Sequence, residues 1–127
     1  MDLRVLNQRL SVCRLPIYAE WPIPATGSSF FSATRTDSEI SVVCDEDVAP
    51  TGDDIQIETD WRALEVAGPM DFAMVGVAAA LTAPLADVDV SVLVISTFDT
   101  DYLLVHAAAL DKAVASLRAA GHQVTAS

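Results

Sequence analysis

The sequence predicts an α+β fold of two tandem ferredoxin-like units, each built on the order βαββαβ, with the N-terminal unit degenerate. Three observations carry this. Residues 61–126 pass through strand-like and helix-like periodicities in the order β-α-β-β-α-β, the split βαβ arrangement. A hairpin-like stretch of the first half overlays one of the second half at a displacement of 62 residues. The chain is also apolar enough, at 52% hydrophobic residues and a mean hydropathy of +0.39, to bury a core rather than stay disordered. The expected division is residues 1–60 for the degenerate unit and 61–127 for the complete one.

The C-terminal unit reads element by element. In "WRALEVAG" (61–68), Leu64 and Val66 alternate with Ala63 and Glu65, a strand by period two. Gly68 and Pro69 punctuate it, and proline suits the first turn of a following helix, where its missing N–H costs nothing. Met74, Ala78, Leu81 and Leu85 then recur at helical spacing as one apolar stripe, with Pro84 expected to end or kink the helix. "VSVLVIS" (90–96) is apolar on both faces, as expected of a central strand. "YLLVH" (102–106) is the next strand, so 97–101 is a hairpin connection. Leu110, Val114 and Leu117 define a second helix, Gly121 its stop, and "HQV" the start of a last strand.

The N-terminal half follows the same plan with parts missing. "LSVCRL" (10–15) reads as a strand, "FFSATRT" (30–36) with "EISVVC" (39–44) as a hairpin, and "IQIE" (55–58) as a closing edge. Between the first two, "PIYAEWPIPATG" contains three prolines and leaves room for one short helical turn at most. In the repeat, "TRTDSEISVV" (34–43) overlays "STFDTDYLLV" (96–105), pairing Asp37 with Asp99 and Glu39 with Asp101. The alternative is a chance likeness of two hairpins.

Composition narrows the function. Eighteen acids against seven lysines and arginines give a net charge of −11, which argues against nucleic acid and against anionic membrane surfaces as partners. The longest uncharged run, Phe72 to Ala86, is fifteen residues, too short for a membrane span. No apolar signal-peptide core follows Asp2 and Arg4, so a cytoplasmic location is expected. Cys13 and Cys44 lie in strand-like segments without metal-ligand or redox-motif spacing and read as reduced core thiols. His106 and His122 have no companion ligands, and the acidic stretch 45–60 lacks the calcium-loop pattern. No metal, no cofactor and no catalytic residue is therefore expected.

The stretch "ISTFDTDYLLV" (95–105) holds what chemistry there is. Ser96, Thr97, Asp99, Thr100 and Asp101 sit between two apolar strands. Asp99 and Asp101 could share a face as an acid/base pair, or the whole group could cap a turn. A third reading comes from the fold. In a βαββαβ unit the strand-to-helix turn "AGPMDF" (67–72) lies beside this hairpin. A helix start offers free N–H groups to a carboxylate, while Asp101 and the hairpin carbonyls suit an ammonium. That is the polarity of a free amino acid.

The residues of "EVAGPMDFAMVGVAAALTAPLADVDVSVLVISTFDTDYLLV" resemble the ACT domain, the small-molecule regulatory module named after aspartate kinase and chorismate mutase. They are similar in particular to the branch related to the animal cytosolic arginine sensor. The resemblance rests on G-P-x-x-F at 68–72, Gly76, P-L-A at 84–86 and I-S-T-F-x-x-D at 95–101 together, and "FFSATRTDSEISVVCDE" resembles the branch's preceding unit. It implies an amino acid held by Gly68, Pro69, Met70, Asp71 and Phe72 on one side and Ser96, Thr97, Phe98 and Asp101 on the other. Ser91 and Val92 of a second subunit would form the remaining wall, which makes the expected assembly a homodimer. Asp101 would be the functional carboxylate and Asp99 mainly a turn cap. Two positions that are acidic in the branch are Ala73 and Met74 here, which removes negative charge and disfavours arginine as the ligand. The implied function is non-catalytic: an amino acid sensor that reports to a regulated protein partner. The alternative is an ACT-like dimerisation or interaction module that binds no metabolite.

Overall fold

The computed structural model describes residues 1–67 and 76–126. Among the described residues eight strands and three α-helices follow one another: β1 (Asp2–Val5), β2 (Leu10–Leu15), α1 (Ile23–Thr26), β3 (Phe31–Arg35), β4 (Ile40–Asp45), β5 (Gln56–Val66), α2 (Val77–Asp87), β6 (Leu93–Ser96), β7 (Asp101–His106), α3 (Leu110–Ala119) and β8 (Gln123–Ala126). Two compact units result, Gln8–Trp61 and Met1–Asn7 together with Arg62–Ser127. Residues 1–7 thus differ from the expected division at 60. β1 pairs antiparallel with β5, Leu3 opposite Val66, and parallel with β8, Leu3 opposite Val124, so its ladder bonds tie it to the later unit. No strand was expected over 2–5.

In that later unit the order is β8-β1-β5-β7-β6, which is the ferredoxin-like order with β1 inserted between the first and last strands. Period-two alternation puts Leu3, Leu64, Val66, Leu103, Val105 and Val124 on one face, where they pack against α2 and α3. α2 buries Val77, Leu81 and Leu85. Ala78, expected in the stripe, is exposed, and Val77 takes its place. Met74 and Pro69 lie outside the described residues. Pro84 does not end the helix, which runs to Asp87. Proline has no N–H for the carbonyl of Ala80, and the His122 ring Nε2 donates to that oxygen at 3.1 Å instead. Ser116 of α3 adds a bond to the Pro84 carbonyl at 2.7 Å. Gly121 stops α3 as expected, with φ +96 and His122 N–H bonding to Leu117 O, a Schellman-type end. β6 also departs from the expected arrangement. Among the described residues it pairs with β7 alone, so it is an edge strand and not a central one, with Val94 exposed.

The 8–61 unit has the order β3-β4-β2-β5, all antiparallel, which is the same strand order as the other unit without its inserted strand. The helices are what it lacks. α1 has four residues, as the prolines predicted, and a three-residue 3₁₀ turn at Glu46–Val48 stands where the second helix would be. Its core is Cys13, Leu15, Ala25, Ile40, Val42 and Cys44, all buried. The strands expected at 55–58 and 61–68 are one continuous β5, which ends at Val66. A bulge shifts its register against β2: Leu10 faces Trp61 but Val12 faces Glu58, and Asp60 adopts φ +62.

The hairpins also correct the repeat. Arg35 pairs with Ile40 and Ser96 with Asp101 across loops of equal length, so the displacement is 61, not 62. Asp101 corresponds to Ile40 rather than to Glu39. At this register Val42, Val43 and Cys44 match Leu103, Leu104 and Val105, and all six are buried.

Candidate functional site

The hairpin at 97–100 is closed by hydroxyls. Thr97 N–H donates to Thr100 O at 2.8 Å, and Thr97 Oγ1 both donates to Thr100 O at 3.1 Å and accepts from Thr100 N–H at 3.2 Å. In the other unit Thr36 does the same work, its Oγ1 accepting from Ser38 and Glu39 N–H. The cap expected of Asp99 therefore belongs to Thr97, because a short β-hydroxyl reaches the backbone two or three residues ahead. Asp99 is exposed.

Thr100 is the residue that sequence reasoning underrated. It is one of two buried polar residues among those described, and its hydroxyl donates to Val66 O at 2.8 Å. This bond ties the hairpin to the end of β5, two residues before Gly68. Segment 68–75 connects that strand end to Gly76 and α2. Ser96 and Asp101 are opposite one another in the ladder and share a sheet face with Leu103, the face on which the helices pack. Ser96, Thr97 and Phe98 are exposed, Phe98 at 82%, and Asp101 is half-buried. The signal for Thr100 was its place in the hydroxyl-rich loop; what hid its role was that its acceptor lies 34 residues away in the chain. Thr100→Val is expected to lower stability by about 1–3 kcal/mol by leaving the Val66 carbonyl without its hydroxyl donor. Thr100→Ser should restore most of it, as read from urea midpoints. Equal midpoints for all three would remove the tether from the account.

Of the other predicted residues, Gly68, Pro69, Met70, Asp71 and Phe72 lie outside the described residues. Ser91 and Val92 do not join the hairpin within one chain. They precede β6, whose four residues span roughly 13 Å to the loop, and Val92 packs partly against the core. On the opposite sheet face Glu65 accepts from Arg4 at 2.6 Å and from the Tyr102 hydroxyl at 3.0 Å. Burial, then the neighbouring Glu65 carboxylate, pushes the Tyr102 phenol above its ordinary range. A cavity of about 480 Å³ lies beside this network, lined by Asp2, Arg4, Gln123 and Thr125 among others. Among the described residues no group of three or more metal-ligand side chains comes together, and no helix is long and apolar enough to cross a membrane.

The ACT-domain family model matches residues 56–119, half of the chain. The chain belongs to the ACT-domain family. A model for an N-terminal domain matches residues 8–52 in addition. The chain is 30% identical over 125 residues to the cytosolic arginine sensor for mTORC1 subunit 1 of Bos taurus, and 31% identical over 91 residues to the putative protein CASTOR3P of Homo sapiens. The matches take in 83% and 63% of this chain but only 38% and 56% of those proteins. An Agobacterium tumefaciens crystal structure is 34% identical, covering 99% of this chain and 92% of that one at a TM-score of 0.90. The aspartate kinase of Clostridium acetobutylicum, at 15% identity and a TM-score of 0.67 over 90% of this chain and 33% of that one, shares the fold. ACT-domain membership accounts for the βαββαβ order of the later unit.

Proposed function

We propose that this ACT-domain protein is a non-catalytic regulatory module that binds a free amino acid between segment 68–72 and the hairpin 96–101. The carrying observation is the Thr100–Val66 bond, which holds the hairpin at the strand end from which segment 68–75 departs. Asp101 and Ser96 stand on the helix-bearing face at that end, where a carboxylate and a hydroxyl can take an ammonium group. A relative named as an arginine sensor supports the ligand class. Ala73 and Met74 supply no charge to a guanidinium, so arginine is not the expected best ligand. Ser91 and Val92, remote from the hairpin in one chain, suit a wall contributed by a second copy, and the exposed edge β6 offers a surface for the pairing. The module is cytoplasmic in this reading and passes its state to a protein partner.

A thermal-shift panel of the twenty amino acids tests the reading. A ligand at a hundred times its Kd stabilises the folded state by about 2.7 kcal/mol, a rise of roughly 10 °C. Asp101→Asn is expected to weaken the best ligand by about ten- to a hundredfold, the worth of a charge-assisted bond. Sedimentation equilibrium should show a dimer that tightens with ligand. If no amino acid raises the melting temperature, the ligand-free dimerisation module replaces this reading.

A further inference from the structure

The 8–61 unit has the strand order of a two-helix sandwich but hardly any helix layer. The other unit covers its sheet with eleven residues of α2 and ten of α3. Here α1 supplies four residues and a 3₁₀ turn three. The innermost residues are sealed, because Ala19, Ala49 and Ile55 pack against the cluster that contains Cys13, Ile40 and Val42. The outer layer is not. Ile17, Tyr18, Trp21 and Ile23 fall within seven residues of the segment leading into α1 and are 45%, 76%, 44% and 67% exposed. Ile57, opposite Cys13 on the same sheet face, is 36% exposed. Single exposed apolar residues need no explanation, but four within seven residues of the segment whose helix packs Ala25 on the Cys13 cluster, with Ile57 opposite Cys13, mark an interaction site. The cluster is also held in place. Trp21 stacks edge-on against Phe31 with centroids 6.3 Å apart, and the Tyr18 hydroxyl donates to Asp54 at 3.0 Å.

The charge around it selects the partner. Residues 8–61 contain ten acids and three arginines. Two of those arginines are already paired, Arg9 with Asp60 and Arg14 with Glu39. Glu20, between Tyr18 and Trp21, and Asp53, beside the Tyr18 partner, are both exposed. We propose that the face carrying Ile17, Tyr18, Trp21, Ile23 and Ile57 docks an amphipathic helix of a partner protein, with lysine or arginine flanking its apolar stripe. The helix completes the missing layer, its apolar residues meeting the isoleucines and Trp21 and its cations meeting Glu20 and Asp53. This surface works whether or not the amino acid reading above is right.

The test is fluorescence anisotropy with a labelled leucine/lysine amphipathic peptide of about five helical turns, against the same peptide with glutamate in place of lysine. The lysine peptide is expected to bind saturably and the glutamate peptide not. Ile17→Ser with Ile23→Ser should weaken binding by about tenfold or more, the worth of a buried aliphatic side chain. Both side chains are solvent-facing, so an unchanged melt serves as the fold control. Glu20→Lys with Asp53→Lys should weaken it too and flatten its salt dependence. Equal binding of both peptides, or no effect of either double variant, overturns the proposal. So does sedimentation showing that wild type self-associates and the double serine variant does not, which would make a second copy the occupant.

Discussion

Leu81→Ala is expected to lower stability by about 2–5 kcal/mol, the range for emptying a well-packed leucine site. Leu81 is fully buried at the centre of α2, between Val77 and Leu85, in the cluster that includes Leu103, Val105 and Leu117. Its neighbours belong to strands and to α3, so they relax only partly into the space it leaves. The matched control is Ala78→Ser. Ala78 was expected on the same stripe but faces solvent, and its replacement should stay within about 0.5 kcal/mol. Urea unfolding at constant slope separates the two. If both substitutions cost the same, α2 packs through a face other than the one described. Loss at Leu81 should also weaken the proposed amino acid site, because α2 follows segment 68–75 in the chain.

The second large effect is alkaline and belongs to the other unit. Cys13 and Cys44 are both buried free thiols on one face of the β2–β4 pair. Burial, reinforced by the neighbouring Cys13 and by Asp45, pushes the Cys44 thiol up to about 12, and burial raises Cys13 as well. In the unfolded chain a cysteine ionises near 9. Below that pH both states hold the proton and the thiol's contribution is complete. Between pH 9 and about 12 the unfolded state releases its proton first, so stability falls as pH rises. Three pK units correspond to on the order of 4 kcal/mol by the top of that window. The stability gap between wild type and Cys44→Ala should therefore be flat up to pH 8 and narrow above pH 9. Taking the difference removes the phenols Tyr18 and Tyr102, also raised, which are common to both proteins. A gap that stays constant to pH 11 would refute the assignment. The same shift keeps both thiols slow toward alkylating reagents at neutral pH, since the thiolate is the reactive species.

The candidate site was half legible in the sequence. The hydroxyl-and-acid loop between two apolar strands announced a hairpin, and the ACT resemblance singled out Asp101. Residue type alone favours Asp99 and Thr97 equally as the cap, because both close turns, and only backbone geometry assigns it to Thr97. The duplication was visible but misregistered by one residue. A one-residue slip in a strand alignment still matches small polar residues, while the ladder admits a single pairing.

By itself the sequence determined the α+β class, the order of strands and helices in residues 61–126, the stunting of the first helix by its prolines, and the absence of charge suited to nucleic acid. These depend on periodicity, on backbone chemistry and on composition, all of which are local or additive. Only the tertiary structure decided that β1 inserts between β5 and β8, that β6 is an edge, that Val77 rather than Ala78 faces the core, and that Thr100 ties the hairpin to Val66. Each of those is a pairing between residues distant in the chain. An apolar strand reads the same at an edge as in the centre, and a threonine hydroxyl names its partner only once the chain has folded around it.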